Sequence, residues 1–171
     1  TVFAIGVGVA FDAGAKVKRL SPSEGLSQSY VSKMLIDNNG YLWLATEGGL
    51  NRYDGYQVIN IAGPNGELDE VIIDRIYQDP DGYIWIASLL AGLFRYDPVT
   101  DSYQQFLSKP VSEEQFLSQS VFSMLATDDK SLWIGRGWDF ARLDLATSKI
   151  ETIFELPERT RSSVIRDLFH Y

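Results

Sequence analysis

Three tryptophans occupy near-identical settings in this chain: Tyr41-Leu42-Trp43-Leu44-Ala45, Tyr83-Ile84-Trp85-Ile86-Ala87 and Ser131-Leu132-Trp133-Ile134-Gly135. They lie 42 and 48 residues apart, and self-similarity at such a period marks an architecture built from repeated supersecondary units. Twelve positions before each tryptophan a β-branched residue opens another apolar stretch, at Val31, Ile73 and Val121. After each comes a turn, then Leu50-Asn51-Arg52-Tyr53-Asp54, Leu93-Phe94-Arg95-Tyr96-Asp97 or Phe140-Ala141-Arg142-Leu143-Asp144, and then a fourth run: Tyr56 to Ile61, Tyr103 to Leu107, Ile150 to Phe154. Each unit reads as four short strands, A to D, separated by turn signals. Between A and B, Asp37-Asn38-Asn39-Gly40 and Asp79-Pro80-Asp81-Gly82 supply side chains that bond the local backbone and a glycine for positive φ.

Strand B decides between the architectures that four-stranded units can build. A strand with one wet face alternates apolar and polar residues, whereas Leu-Trp-Leu-Ala and Ile-Trp-Ile-Ala are apolar on both faces and must be covered twice. Blades stacked around an axis cover each sheet on both faces. The fold class that follows is all-β: a β-propeller fragment of three four-stranded antiparallel blades, at about 26–61, 68–107 and 116–154. Val164 to Phe169 repeats the strand A pattern 43 positions after Val121 and reads as the first strand of a fourth blade. An incomplete ring exposes apolar faces at its ends, so self-association through open propeller faces is expected, by stacking or by exchange of Val17 to Leu20 and Val164 to Phe169.

Composition removes several classes of chemistry. The 23 acidic and 15 basic residues give a net charge of −8, so nucleic acid is not an expected partner. There is no cysteine, and His170 is the one histidine, which leaves no material for thiolate or histidine metal sites or for a Ser-His-Asp triad. No catalytic residue, metal or cofactor is expected. Thr1 to Phe11 is apolar and precedes Ala13-Gly14-Ala15, which has the small-x-small form of a signal-peptidase site. Residues 1–15 read as a signal-peptide remnant ahead of a propeller segment at 16–171, with an ordinary first strand as the alternative.

These units resemble the two-component regulator propeller repeat, V-x-x-[IM]-x-x-D-x-x-G-x-[LI]-W-[IL]-[GA]-T followed by G-L-x-R-[YF]-[DN]. The resemblance is close from Val31 to Asp54 and from Ile73 to Asp97. It is looser in the third unit, where Thr127 replaces the turn Asp, Lys130 the turn Gly, Arg136 the Thr, and Trp138-Asp139-Phe140 the Gly-Gly-Leu. The resemblance implies a non-catalytic signal-input segment, the periplasmic part of an inner-membrane protein whose output module is a histidine kinase or a diguanylate cyclase. Its signal would be a small molecule or a glycan. A protein-interaction scaffold and a propeller lyase are the alternative readings.

Trp43, Trp85 and Trp133 read as core packing rather than as ligand-stacking surfaces. Arg52, Arg95 and Arg142 read as strand-edge ion pairs or carbonyl contacts rather than as an anion-binding ring. Asp37, Asp79 and Asp81 lack the D-x-D-x-D-G run of a calcium loop and read as turn residues. The B-to-C turns and D-to-A connections share one side of a blade, and loops carry function in such scaffolds. On that side Leu89, Leu90 and Trp138 are apolar where a turn is normally polar, flanked by Arg136 and Asp139. These five residues are the expected ligand or partner surface.

Overall fold

The computed structural model describes residues 2–4, 17–63, 65–88, 90–107, 120–127 and 130–157. Strands β1 (Val2–Ala4) and β2 (Val17–Arg19) pair in parallel as a separate two-stranded sheet. A single 3-10 turn at Pro22–Glu24 follows. Three antiparallel sheets of four strands then come in chain order. Blade 1 contains β3 (Val31–Ile36), β4 (Leu42–Thr46), β5 (Gly49–Tyr53) and β6 (Val58–Ile61). Blade 2 contains β7 (Ile73–Gln78), β8 (Ile84–Ser88), β9 (Gly92–Asp97) and β10 (Ser102–Leu107), and blade 3 contains β11 (Val121–Thr127), β12 (Ser131–Arg136), β13 (Asp139–Asp144) and β14 (Lys149–Glu155). Each sheet is a simple meander, so the three expected blades are present as strands A to D. The segment Val164 to Phe169, expected to open a fourth blade, lies outside the described residues.

The tryptophans pack where doubly apolar strands require. Leu35, Trp43 and Arg52 lie side by side across blade 1, as Tyr77, Trp85 and Arg95 do across blade 2, and Leu125, Trp133 and Arg142 across blade 3. Directly paired residues share a face, so each tryptophan marks the face turned toward the next blade, called here the back. Trp43 packs with Ile73, Ile84, Ile86, Phe94 and Tyr96 of blade 2, and Trp85 packs with Val121, Leu132, Ile134 and Leu143 of blade 3. Trp43 and Trp85 are fully buried, which is worth about 2 to 3 kcal/mol each by area. Trp133 is only half-buried.

The tight turns explain the repeat motif. Asp37 Oδ1 accepts from the backbone N–H of Asn39 and Tyr41 (2.9 Å each), while its Oδ2 accepts from Trp43 Nε1 (2.8 Å). Asp79 repeats this with Asp81 and Tyr83 N–H (3.0 Å each) and Trp85 Nε1 (2.9 Å). One buried carboxylate thus closes the A–B turn and pins the indole of strand B. The Asp that follows strand C in all three blades closes the next turn. Asp54 accepts from Tyr56 and Gln57 N–H, Asp97 from Val99 N–H and the Thr100 hydroxyl, and Asp144 from Thr147 N–H. Each of these carboxyl groups is held below the usual aspartate range, by the Gln57 N–H for Asp54, the Thr100 hydroxyl for Asp97 and the Thr147 N–H for Asp144.

The arginines take a different role from the one expected. Among the described residues Arg142 makes a strand-edge ion pair, with Glu151 at 3.6 Å. Arg52 lies over Tyr41 (4.9 Å) and Trp43 (5.7 Å), and Arg95 over Tyr83 (4.5 Å) and Trp85 (5.7 Å). A weakly hydrated guanidinium covers the outer edge of the buried indole and adds a cation–π attraction there. Arg52 also reaches blade 2, where its Nη1 donates to Tyr96 Oη at 3.5 Å.

Candidate functional site

The B–C turns and D–A connections emerge together, and the three blades close their B–C turns with different chemistry. In blade 1 the Thr46 hydroxyl accepts from Gly48 N–H (3.1 Å) and donates to Gly49 O (2.8 Å). In blade 2 Ser88 Oγ accepts from Leu90 and Ala91 N–H (3.2 and 3.1 Å). Blade 3 has no hydroxyl at this place and uses a charged clamp instead. Arg136 donates from Nε to Asp139 Oδ1 (2.6 Å), and from Nη2 to Asp139 Oδ2 and Thr152 Oγ1 (2.9 Å each).

That clamp changes the meaning of the expected surface. Arg136 and Asp139 are brought together, but the fork–fork geometry turns their charges on each other, and both side chains are largely shielded from solvent. Trp138, between them in sequence, is half-buried. Leu90 is exposed on the turn of blade 2, and Leu89 lies outside the described residues. The Arg136–Asp139 pair therefore builds a turn of blade 3.

The same side of blade 1 holds a cavity of about 520 Å³ lined by Ser27, Gly48, Gly49, Leu50, Asn60, Leu68, Asp69 and Glu70. Its floor comes from the long connection between β6 and β7, which folds back so that Gly49 bridges to Asp69. A Cβ on Gly49, whose φ is +119°, would stand 2.9 Å from Leu68 O. That contact is why the turn needs glycine. The wall comes from the lead-in to blade 1. Asn51, fully buried, accepts from Ser27 N–H (2.9 Å) and donates to Ser27 Oγ (2.7 Å), and Ser27 Oγ is 2.8 Å from Thr46 Oγ1. Phe94 and Ala141 stand at the Asn51 position in the other blades.

Chemically the cavity offers acceptors: the carboxylates of Asp69 and Glu70, with the amide of Asn60 and the hydroxyl of Ser27. Negative potential there disfavours anions and suits neutral polar or cationic ligands. The volume is that of a small-molecule site. Sequence reading passed over these residues because Asp69 and Glu70 are ordinary polar loop residues. The one available signal was the glycine-rich connection 62–72, longer than a D–A link needs to be. Among the described residues no group of three or more His, Cys, Asp or Glu side chains is placed to hold a metal ion.

Comparison with known proteins shows what the repeats resemble. Residues 25–48 and 66–89 match the sequence profile described as "Two component regulator propeller". A search of curated proteins gives no match. Among solved structures, the extracellular domain of a B. thetaiotaomicron protein described as a hybrid two component system, BT3049, is similar over 81% of this chain and 20% of its own, at 29% identity and a TM-score of 0.66. The extracellular domain of BT4673 from the same organism aligns over 83% of this chain and 19% of its own, at 19% identity and a TM-score of 0.66. Virginiamycin B lyase from Staphylococcus aureus aligns over 76% of this chain and 42% of its own, at 15% identity and a TM-score of 0.56. The last two likenesses show the propeller fold alone. The chain spans about a fifth of the length of the two extracellular domains.

Proposed function

We propose that this chain, whose first two blades carry two-component regulator propeller repeats, is a non-catalytic signal-input segment of a membrane-bound bacterial signalling protein. The observation that carries this reading is the 29% identity to the extracellular domain of a hybrid two component system over 81% of the chain. No helix of the described residues is long and apolar enough to cross a membrane, so anchoring and output would come from other parts of such a protein. The segment would work on the periplasmic side, a reading supported by the likeness to the extracellular domain of BT3049. The signal would be a neutral or cationic small molecule, a glycan included, and the cavity beside Asp69 and Glu70 is its proposed seat. The lyase resemblance rests on fold alone, which does not carry an activity.

A thermal-shift panel of neutral sugars, amines and anionic metabolites tests the ligand reading. A ligand at a hundred times its Kd adds about 2.7 kcal/mol of stability. The expected result is a shift with neutral or cationic compounds that is lost in Glu70→Gln or Asn60→Ala. Stabilisation by anions alone, unchanged by these substitutions, would remove the cavity from the proposal. Protease accessibility in spheroplasts tests location, and protection of the segment there would overturn the periplasmic reading.

A further inference from the structure

In a chain built from repeats, a feature present at one blade junction and absent from the next needs a reason other than the fold. Gln78, at the end of β7, is such a feature. Its Oε1 accepts from the Asn38 N–H in the A–B turn of blade 1 (2.8 Å), and its Nε2 donates to Gly82 O in the A–B turn of blade 2 (3.1 Å). The amide is a strut between the two turns. The junction of blades 2 and 3 has no counterpart: Pro80 stands at the Asn38 position without an N–H to donate, and Ala126 stands at the Gln78 position without a side-chain acceptor.

Beside the strut lies a cavity of about 260 Å³, lined by Asn38 and Asn39 of blade 1 and by Gln78, Asp81, Tyr83 and Asp97 of blade 2. It sits within the junction of two neighbouring blades, on the opposite side from the cavity of Asp69 and Glu70. The turns take their hydrogen bonds from the backbone N–H groups of Asn38, Asn39 and Asp81, which leaves the side-chain oxygens of these residues for a ligand. None of the described lining residues is basic. Arg95, in an adjoining hollow of about 130 Å³, lies over the Tyr83 ring and partly balances Asp97, so Asp81 carries the uncompensated charge. At the next junction Lys130 takes the place of Gly82 and brings a cation of its own.

We propose that this cavity binds the head group of an organic cation, a guanidinium or a primary ammonium, with Asp81 supplying the charge and the side-chain oxygens of Asn38 and Asn39 accepting its remaining N–H groups. Hydrogen bonds from a cation to a carboxylate are the strong ones. The volume is below that of a drug-sized site and suits a head group rather than a large molecule. The Gln78 strut holds the turns of both blades in place before the ligand arrives, which lowers the cost of binding. The same head group is carried by free amines and by the basic side chains of peptides. This site is separate from the proposed seat of the signal beside Asp69 and Glu70 and does not depend on it.

Proton–nitrogen correlation NMR of the whole chain, titrated with methylguanidinium chloride, reads the site through the side-chain amides of Asn38, Asn39 and Gln78. Saturable shifts are expected there, with Asp81→Asn raising the Kd about fivefold and Asn38→Ala raising it as well. Both substitutions keep the backbone N–H groups that close the turns, and the spectrum itself reports that each variant is folded. Glu70→Gln, in the other cavity, should leave the titration unchanged. Urea, a neutral analogue of similar shape, should give no saturable shift over the same range. A capped Gly-Arg-Gly peptide separates the two sources: tighter binding than methylguanidinium assigns the site to a basic side chain of a peptide, and equal or weaker binding assigns it to a free cation. Shifts that do not saturate, an equal response to urea, or a Kd unchanged in Asp81→Asn would each overturn the proposal.

Discussion

Blades 2 and 3 share a topology and differ in how their strand B tryptophan is held. In blade 2, Asp79 closes the A–B turn and accepts the Trp85 N–H, and blade 3 covers the other side of the indole. In blade 3, Thr127 stands at the Asp position and its hydroxyl donates to Ser131 O (3.3 Å), while Asp128 and Asp129 of the same turn lie outside the described residues. Lys130 takes the place of Gly40 and Gly82 with φ +58°. Blade 2, whose tryptophan is both latched and covered, carries the full repeat motif; blade 3, whose Trp133 is half-buried, departs from it at Thr127 and Lys130. The Asp six residues before the Trp is thus part of the interface between blades as well as of a turn.

The largest effect expected from this contrast comes from deleting the indoles. Trp85→Ala should destabilise by about 3 to 5 kcal/mol, since a fully buried aromatic leaves a cavity between two blades. Trp133→Ala should cost about half as much, because Trp133 is half-buried. Urea denaturation at concentrations where the chain is monomeric compares the two, and equal losses would mean that the third blade is covered as fully as the second.

Asp79→Ala should come next, at about 2 to 4 kcal/mol. It strands the buried Trp85 N–H and two turn N–H groups, each of which costs about 1 to 3 kcal/mol if it cannot reach water. Thr127→Ala in blade 3 should cost under about 1 kcal/mol, because it removes a hydroxyl rather than a buried carboxylate. A loss at Asp79 no larger than that at Thr127 would dismiss the latch.

Lys130→Gly should stabilise blade 3 by about 1 kcal/mol, by relieving a left-handed backbone that glycine adopts freely. The same change tests the comparison from the other side, since it restores one element of the motif that blades 1 and 2 retain. No gain in the urea midpoint would show that the turn tolerates Lys130 without strain.

The blades were legible because strand B carries its own signature. Apolar residues on both faces of Leu42 to Ala45 and Ile84 to Ala87 demand two covering layers, and a repeated period supplies them. The Asp–Trp bond was less visible: Asp37 and Asp79 look like turn residues in sequence, and turn chemistry alone accounts for them. Their six-residue offset from Trp43 and Trp85, lost together with the turn Gly in blade 3, was the signal that could have revealed it. The arginines were misread for a related reason. Sequence shows the aspartate that follows Arg52 and Arg95 but not the cross-strand register that lays each guanidinium against Trp43 or Trp85. The cavity depends on where the 62–72 connection folds back onto Gly49, a tertiary choice that local pattern does not encode.

What all three blades keep is the aspartate that closes the C–D turn, and acid should expose it as the smallest effect. Asp54, Asp97 and Asp144 have folded pKa values below the ordinary 3.8, held down chiefly by the Gln57 N–H, the Thr100 hydroxyl and the Thr147 N–H respectively. A depressed folded pKa means that the native state binds the proton less readily than the unfolded chain. The stabilisation is therefore complete above about pH 3.8 and is lost as pH falls through the folded values. These carboxylates are solvent-accessible, so each contribution is small and screened by salt. Unlike the tryptophan latch, it should be similar in blades 2 and 3, because each aspartate is held chiefly by the threonine three residues on. Asp97→Asn and Asp144→Asn should each lower the urea midpoint slightly at pH 6 and flatten its decline between pH 4 and pH 3 by similar amounts. A marked difference between the two variants would show that blade 3 has loosened beyond its tryptophan, down to the turn that every blade shares.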